Sequence, residues 1–467
     1  MCSKQDIWCS KEFESVKLGD KRLNRRLLKV ANDLLNNPTE AIHNASNGWA
    51  QAKAAYRLFD NDKLTEDSLM QAHREETIKR VEESRCDILF AIQDTTTLNY
   101  THHPKKQGIN KINQNQGFDK PSKGFFLHNT LIMTEDGLPL GLLDQKIYQH
   151  SAVDKVNHKQ RPIHEKESFR WIEALQITSS LCRNKNIISV ADRESDIFEL
   201  FVEANILSSK ILIRAAHDRI LKDEAQESQT IWKKLQEVPI AGYQDLYLPS
   251  CHNQPERIVN LEIRYAEIIL KAPHRKPEAK TKILESVKLQ AVWLYESNPP
   301  KGTTALEWML LTNMNVSNIQ DAINMGKWYR LRWQIECYHR VLKSGCKIED
   351  CRLETFDRLK KYVRLKSIIA FRLLWLTMIN RVNPEASSDT ILRDYEWKAL
   401  CCHISKTPIP PKNPPSVREA VRMIAKLGGF LGRKNDKEPG MTYIWRGWEK
   451  LTLIAEFWHS ITNVTCG

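Results

Sequence analysis

Tyr329, Arg332, Glu336 and Lys343, in the stretch KWYRLRWQIECYHRVLKSG, are spaced by three, four and seven residues. On an α-helix that spacing puts all four on one narrow face. A carboxylate so placed is either part of a salt-bridged surface stripe or an acid held beside groups that grip phosphate. Asp94 in DILFAIQDTTTLNY and Asp192 in NIISVADRESDIFEL each follow a short apolar, β-rich run, so both are expected at strand ends that project side chains into a site. An isolated Asp after a strand is commonly a turn former. Two such aspartates with a helix glutamate are hard oxygen ligands, the set that holds two Mg²⁺ ions ~4 Å apart over the attacking and leaving oxygens of a phosphodiester. The three carboxylates predict a metal site for phosphoryl transfer.

The elements that must position them follow from the hydrophobic period. From Asp87 the pattern is that of strands: DILFAIQDTTTLNY, FFLHNTLIMTEDG and PLGLLDQKIYQ, with a turn at Asp136-Gly137 and a polar loop at about 101 to 123. The helix SFRWIEALQITSSLCRN, the strand NIISVADRE, another helix and the strand KILIRAA complete a β-β-β-α-β-α-β order that resembles the RNase H-like fold. The long interval from Asp192 to Glu336 holds alternating segments, RIVNLEIRYAEIIL and VKLQAVWLYES, around the basic loop KAPHRKPEAKTK. An inserted β sub-domain at about 220-302 is expected.

Helices are expected at both ends. In LGDKRLNRRLLKVANDLLNN, Asp20 is the expected N-cap, and Leu23, Leu27, Ala31, Leu34 and Leu35 form a buried stripe that leaves Lys21, Arg22, Arg25, Arg26 and Lys29 largely outward. This basic helix, with WAQAKAAYRLFDND and a segment starting after Thr65, suits either a DNA-binding module or a merely solvated face. At the other end, TPIPPKNPPS reads as a Pro-rich linker, and Ser416 and Glu419 have capping-box spacing. Trp445, Trp448, Leu451 and Trp458 continue an apolar face there, self-packed or shared with a second subunit. The expected architecture is α/β: an N-terminal helical domain at 1-70, an RNase H-like catalytic core with the β insertion at 71-385, and a helical C-terminal domain at 386-467.

Composition narrows the partners. The 467 residues carry 70 Lys plus Arg against 57 Asp plus Glu, a formal charge of +13, which points first to nucleic acid. A membrane partner is not expected, because the most apolar stretch, SIIAFRLLWLTMI, is too short to span and contains Arg372. The start, MCSKQDIWCSKEF, lacks the apolar core of a secretory signal, which predicts a cytoplasmic location. Eleven cysteines without metal-site or framework spacing are expected to be reduced thiols.

The motifs IQDTTTLNY, VADRESDIFEL, NPPKGTTALEWMLLT, the Y-R-E-K segment and GGFLGRKNDKEPG…WRGWEKL stand in one order along the chain. In these the sequence resembles the DDE transposases of the bacterial insertion-sequence-four family, the group of the transposon-five transposase, essentially end to end. The resemblance implies Asp94, Asp192 and Glu336 as the catalytic, metal-binding triad, with Mg²⁺ as the ion and Mn²⁺ as its substitute. It implies Tyr329, Arg332 and Lys343 as groups that grip the DNA backbone, and Trp308 as the ring that stacks on a base flipped out during hairpin formation. Read from its own segment alone, the apolar strand WMLLT, Trp308 is instead a core residue. Trp333 is implied beside the same pocket, and Arg193 and Arg214 near the active site, although both arginines also read as ordinary surface or salt-bridge residues. The N-terminal basic helix, with Arg22, Arg25 and Arg26, is implied as the reader of the element's ends.

The activity so implied is cut-and-paste transposition. The chain binds the terminal inverted repeats of an insertion sequence, excises it by metal-dependent nicking and hairpin formation, and inserts it into target DNA by strand transfer. It acts as a homodimer in a synaptic complex, each subunit binding one end and cleaving the other, at the bacterial nucleoid. Two alternatives share these residues: a Mg²⁺-dependent DNA nuclease without strand transfer, and a non-catalytic DNA-binding inhibitor derived from a transposase.

Overall fold

The computed structural model describes residues 7–112, 122–150, 161–222, 229–248, 256–273, 284–434 and 436–464. Among the described residues five helices come first: α1 (Ile7–Glu12), α2 (Lys21–Asn36), α3 (Ile42–Ala45), α4 (Trp49–Phe59) and α5 (Glu66–Glu83). Asp20 caps α2 by accepting from the Arg22 amide at 2.7 Å, and Thr65 caps α5 through a reciprocal capping box with Ser68. In α2 the buried residues are Leu27, Val30, Ala31, Leu34 and Leu35; Arg22 and Arg25 are exposed and Arg26 half-buried.

Strands β1 (Leu89–Asn99), β2 (Gly124–Thr134) and β3 (Pro139–Tyr148) form an antiparallel meander, turned at Gly137 with φ of +89°. Then come α6 (Phe169–Leu181), β4 (Ile187–Ala191), α7 (Phe198–Ile206) and β5 (Lys210–Arg214), with β4 parallel to β1 and β5 parallel to β4. The order β3-β2-β1-β4-β5 is the RNase H-like arrangement that the element order predicts. After α8 (Ile231–Glu237), the strands β6 (Gly242–Leu248), β7 (Arg257–Leu270), β8 (Val287–Tyr295) and β9 (Glu307–Thr312) continue this sheet. Antiparallel pairing of β5 with β9 joins them into one nine-stranded sheet, so the interval 220-302 extends the catalytic sheet with its own strands. Most of the basic loop between β7 and β8 lies outside the described residues.

Alternation along the strands sends neighbours to opposite faces. Val190, Leu212, Val292 and Leu310 join a core with α9 (Ile319–Arg330), α10 (Trp333–Arg340) and α11 (Phe356–Val382), whereas Ala191, Ile211, Ile213, Ala291 and Leu311 pack with α6, α7 and α8. Helix α11 is buried along most of its 27 residues, Arg364 and Lys366 included. Lys366 Nζ donates to the Pro38 carbonyl at 2.7 Å, which ties the N-terminal helices to the core. A second tie is the buried Glu12, which accepts from His73 on α5 and from both terminal nitrogens of Arg80 at 3.0 and 3.1 Å.

The chain ends in α12 (Asp394–Ser405), α13 (Val417–Leu427) and α14 (Met441–Val464). The Pro-rich segment runs between α12 and α13, and both pack on α14, so it is internal to this helical unit. Gly428 and Gly447 make the crossing of α13 and α14 possible, because a Cβ on Gly428 would sit 1.9 Å from the Tyr443 carbonyl oxygen and one on Gly447 1.8 Å from that of Ile424. Trp445, Trp448 and Leu451 are buried in the main core, while Leu453, Phe457 and Ile461, one turn apart on α14, are exposed. Among the described residues no helix is long and apolar enough to cross a membrane.

Candidate active site

Asp94 is not at a strand end: it lies midway along β1, opposite Asn129 of β2. Parallel pairing with β4 nevertheless stops at Ile92↔Val190. Asp94 is two residues beyond that last pair on β1, and Asp192 two beyond it, just past the end of β4. The two aspartates therefore leave the parallel part of the sheet side by side, at the carboxyl ends where α/β sheets place their sites. Asp192 caps a short 3₁₀ turn, accepting from the Glu194 amide at 3.0 Å.

The segment bearing Tyr329, Arg332, Glu336 and Lys343 is not one α-helix, as its spacing predicts. Helix α9 ends at Arg330, and the amides of Leu331 and Arg332 bond back three residues, to Trp328 and Tyr329, at 3.0 Å each. Helix α10 then carries Glu336, and a π turn over Val341–Gly345 carries Lys343. The tighter and wider turns replace the uniform register that periodicity alone assumes. Arg332 still reaches Glu336, to which it donates, and Asp94, whose Oδ2 lies 3.7 Å from a guanidinium nitrogen.

Burial and the neighbouring Asp192 push the Asp94 carboxyl up to about 7, with Glu336 adding to the rise and Arg332 opposing it. Three carboxylates thus share one crevice, and Arg332 spans two of them. Among the described residues no three His, Cys, Asp or Glu side chains stand close enough together to hold a metal in this arrangement. The donor set nonetheless fits a divalent cation: it is all carboxylate oxygen, and the repulsion around Asp94 is what such a charge offsets, as the guanidinium does here.

Tyr329 is buried, its hydroxyl raised by desolvation, beside Arg332 and Arg214 but without a well-formed hydrogen bond. Arg214 donates to the Glu307 carbonyl at 2.8 Å, leaving Nε unpaired, and burial lowers its guanidinium. Trp308 on β9 is half-buried and meets Tyr329 edge to face, ring centroids 5.2 Å apart. Arg193 is exposed in the turn after Asp192, Trp333 is exposed at the start of α10, and Lys343 is half-buried. Arg22, Arg25 and Arg26 lie apart from this crevice, on α2.

Sequence reasoning missed two polar residues here. His339 follows Glu336 by three positions on α10, which is a legible signal, and its Nδ1 lies 3.9 Å from Asp94 Oδ2. Burial, with Lys343 and Arg332 nearby, holds it down to about 3, so the ring is neutral. Arg170 on α6 donates to Thr95 Oγ1 at 3.0 Å and to Glu194 at 2.8 Å, bracing the residue after Asp94 and the turn that Asp192 caps; no spacing announces it.

Three family models match the chain: Transposase DNA-binding over residues 5–64, Transposase DDE domain over 39–372, and Transposase Tn5 dimerisation domain over 368–461. A solved structure, the cryo-EM structure of piggyBac transposase synaptic complex with hairpin DNA, aligns with 97% of this chain and 81% of that chain. Identity there is 10% and the TM-score 0.37.

Proposed function

The chain belongs to the DDE transposases, DNA-binding and dimerising enzymes that depend on a divalent metal, and on that premise we propose that it is a cut-and-paste transposase of an insertion sequence. In this reading Asp94, Asp192 and Glu336 hold two Mg²⁺ ions, with Mn²⁺ as substitute. When bound, the ions supply charge stabilisation for the attacking and leaving oxygens of a phosphodiester. Arg332 and Lys343 turn to backbone phosphates, Arg332 exchanging its carboxylate partners for DNA, and Tyr329 offers its unpaired hydroxyl as a donor. Arg193, beside Asp192, and Arg214, beside Tyr329, add positive charge along the same strand path.

Trp308, held edge-on by Tyr329, is the stacking platform for a base extruded when the nicked strand folds into a hairpin, with Trp333 lining the same pocket. Arg22, Arg25 and Arg26 contact the terminal repeats. The exposed stripe Leu453, Phe457 and Ile461 on α14 pairs two subunits in the synapse, where each binds one end and cleaves the other. The observation that carries this reading is the placement of Asp94 and Asp192 side by side past the last β1–β4 pair, with Arg332, a displaceable guanidinium, spanning Asp94 and Glu336.

The test is cleavage of an end-repeat duplex with Mg²⁺. Asp94→Ala, Asp192→Ala and Glu336→Ala should each abolish nicking while end binding persists, because removing a carboxylate relieves repulsion of phosphate. Wild-type nicking by any of them removes that residue from the triad. Nicking by the parent chain without any joined product favours the nuclease alternative.

A further inference from the structure

Asp94 on β1, Asn129 on β2 and Gln145 on β3 stand in one row across the sheet, since Asp94 is directly opposite Asn129 and Asn129 directly opposite Gln145. Behind Gln145 stands Arg364 of the buried helix α11. An arginine only donates, so its 3.1 Å contact with Gln145 Oε1 fixes which way that amide faces. Gln145 Nε2 must then donate, and it does so to Asn129 Oδ1 at 2.6 Å and to Ser367 Oγ at 3.0 Å. The Asn129 amide is fixed in turn, and its Nδ2 donates to His339 Nε2 at 2.9 Å. A ring nitrogen that accepts carries no proton, so the proton of neutral His339 is on Nδ1, the atom that faces Asp94 Oδ2 from 3.9 Å.

We infer that His339 is a positioning residue for Asp94, and that Arg364, Gln145 and Asn129 form a one-way hydrogen-bond relay that locks its tautomer. The inference rests on the assignment of Asp94 to the metal site. Asp94 Oδ1 is held by the Thr95 amide at 2.8 Å, so the orientation of the carboxylate depends on what meets Oδ2. Two donors face that oxygen. Arg332 is shared with Glu336 and has phosphate as a competing partner, whereas His339 is buried and its other ring nitrogen is already engaged by Asn129. The N–H of His339 is the donor that remains when Arg332 leaves, and at 3.9 Å it reaches Oδ2 through one water or a shift of about 1 Å. Outer partners of this kind orient metal-ligating groups elsewhere, and their loss typically costs ~10–100-fold in metal affinity or activity.

The experiment reverses the relay without breaking it. In Gln145→Glu the carboxylate keeps Arg364 paired and accepts from Ser367, but it cannot donate, so Asn129 must turn round and present its oxygen to His339 Nε2. The ring proton then moves to Nε2, and a bare Nδ1 lone pair faces Asp94. Full-length wild type, Gln145→Glu, His339→Phe and Asp94→Ala are compared for three readouts. These are the Mg²⁺ dissociation constant from thermal-shift titration without DNA, the Mg²⁺ dependence of nicking, and end binding. The expected result is a ~10–100-fold weaker Mg²⁺ response in both relay variants, with melting temperature and end binding unchanged in Gln145→Glu. Histidine ¹⁵N spectra should show the tautomer change in Gln145→Glu. Wild-type Mg²⁺ affinity in Gln145→Glu overturns the relay even where His339→Phe fails to fold, and equal loss of end binding and metal response in both variants assigns them a merely structural role. Nicking by Asp94→Ala sinks the triad assignment instead.

Discussion

Arg332 lies between two carboxylates that are proposed to hold metal, so the guanidinium and the cation compete for them. Replacing Arg332 with Met keeps the apolar stem and removes the charge. A hydrogen bond to an ionised partner contributes ~1.5–3 kcal/mol, and Glu336, whose side chain is 34% exposed, belongs at the low end of that range. The Asp94 contact, 3.7 Å long, is not a hydrogen bond and adds less. A latch of about 2 kcal/mol follows, equivalent to about a 30-fold change in an equilibrium constant. Mg²⁺ should therefore bind DNA-free Arg332→Met about 30-fold more tightly than wild type, while nicking falls because the grip on phosphate is lost. The measurement is calorimetric titration with Mg²⁺ at low salt, at pH 8 and again at pH 9, above the value of about 7 at which Asp94 ionises beside Arg332 and with room for the further rise that loss of Arg332 brings, so that protons do not replace the guanidinium. Equal or weaker Mg²⁺ binding by Arg332→Met would refute the competition, and with it the placement of the cation between Asp94 and Glu336.

Three other outcomes are expected. Burial alone would raise the Glu12 carboxyl, but His73 and Arg80 hold it at about 2 against an ordinary 4.5; its stabilisation, about 3 kcal/mol, is present above pH 4.5 and lost as pH falls towards 2. Glu12→Gln should lower the urea midpoint at neutral pH and flatten the acid limb between those values, and an unchanged midpoint contradicts the burial argument. Trp308→Ala should spare the first nick and slow the hairpin steps ~10–100-fold, with partial rescue by an abasic site opposite, since the half-buried ring costs less to remove than a core tryptophan. Equal slowing of every step, with a large drop in melting temperature, would count against stacking. Phe457→Asp should leave melting and single-end binding intact and eliminate paired-end complexes, because the ring is 68% exposed and each two-fold contact loses it twice. Paired-end complexes from this variant in a two-length gel shift would place the subunit contact elsewhere.

The local signals were legible where one residue decides an outcome. Asp20 and Ser416 cap their helices because a side-chain oxygen next to free amides has few better options, and the strands near Asp94 and Asp192 follow from alternation. The hydrogen-bond register was not legible. No Pro or Gly marks the break at Leu331 and Arg332, and apolar spacing is nearly the same for 3₁₀, α and π turns. Asp94 read as a strand end because its flanking pattern reports one partner, whereas β1 continues along β2 for seven residues after pairing with β4 stops. On α14 the sequence offered Trp445 and Trp448, which are buried; Leu453 and Phe457 look just as apolar, and only packing separates the two stripes.

The pairing of β5 with β9 also sets a timetable. Leu212 meets Thr312, a residue made 100 positions later, so at ~5–20 residues per second the nascent chain carries an open β5 edge for roughly 5–20 s. Glu336 is made 24 residues after Thr312, so a ribosome-bound chain lacks its full carboxylate set until the partner of β5 has already been made. The waiting strand is short and reads KILIR, three apolar residues between Lys210 and Arg214. Those two cations guard the exposed edge against pairing with another nascent copy until its own partner arrives.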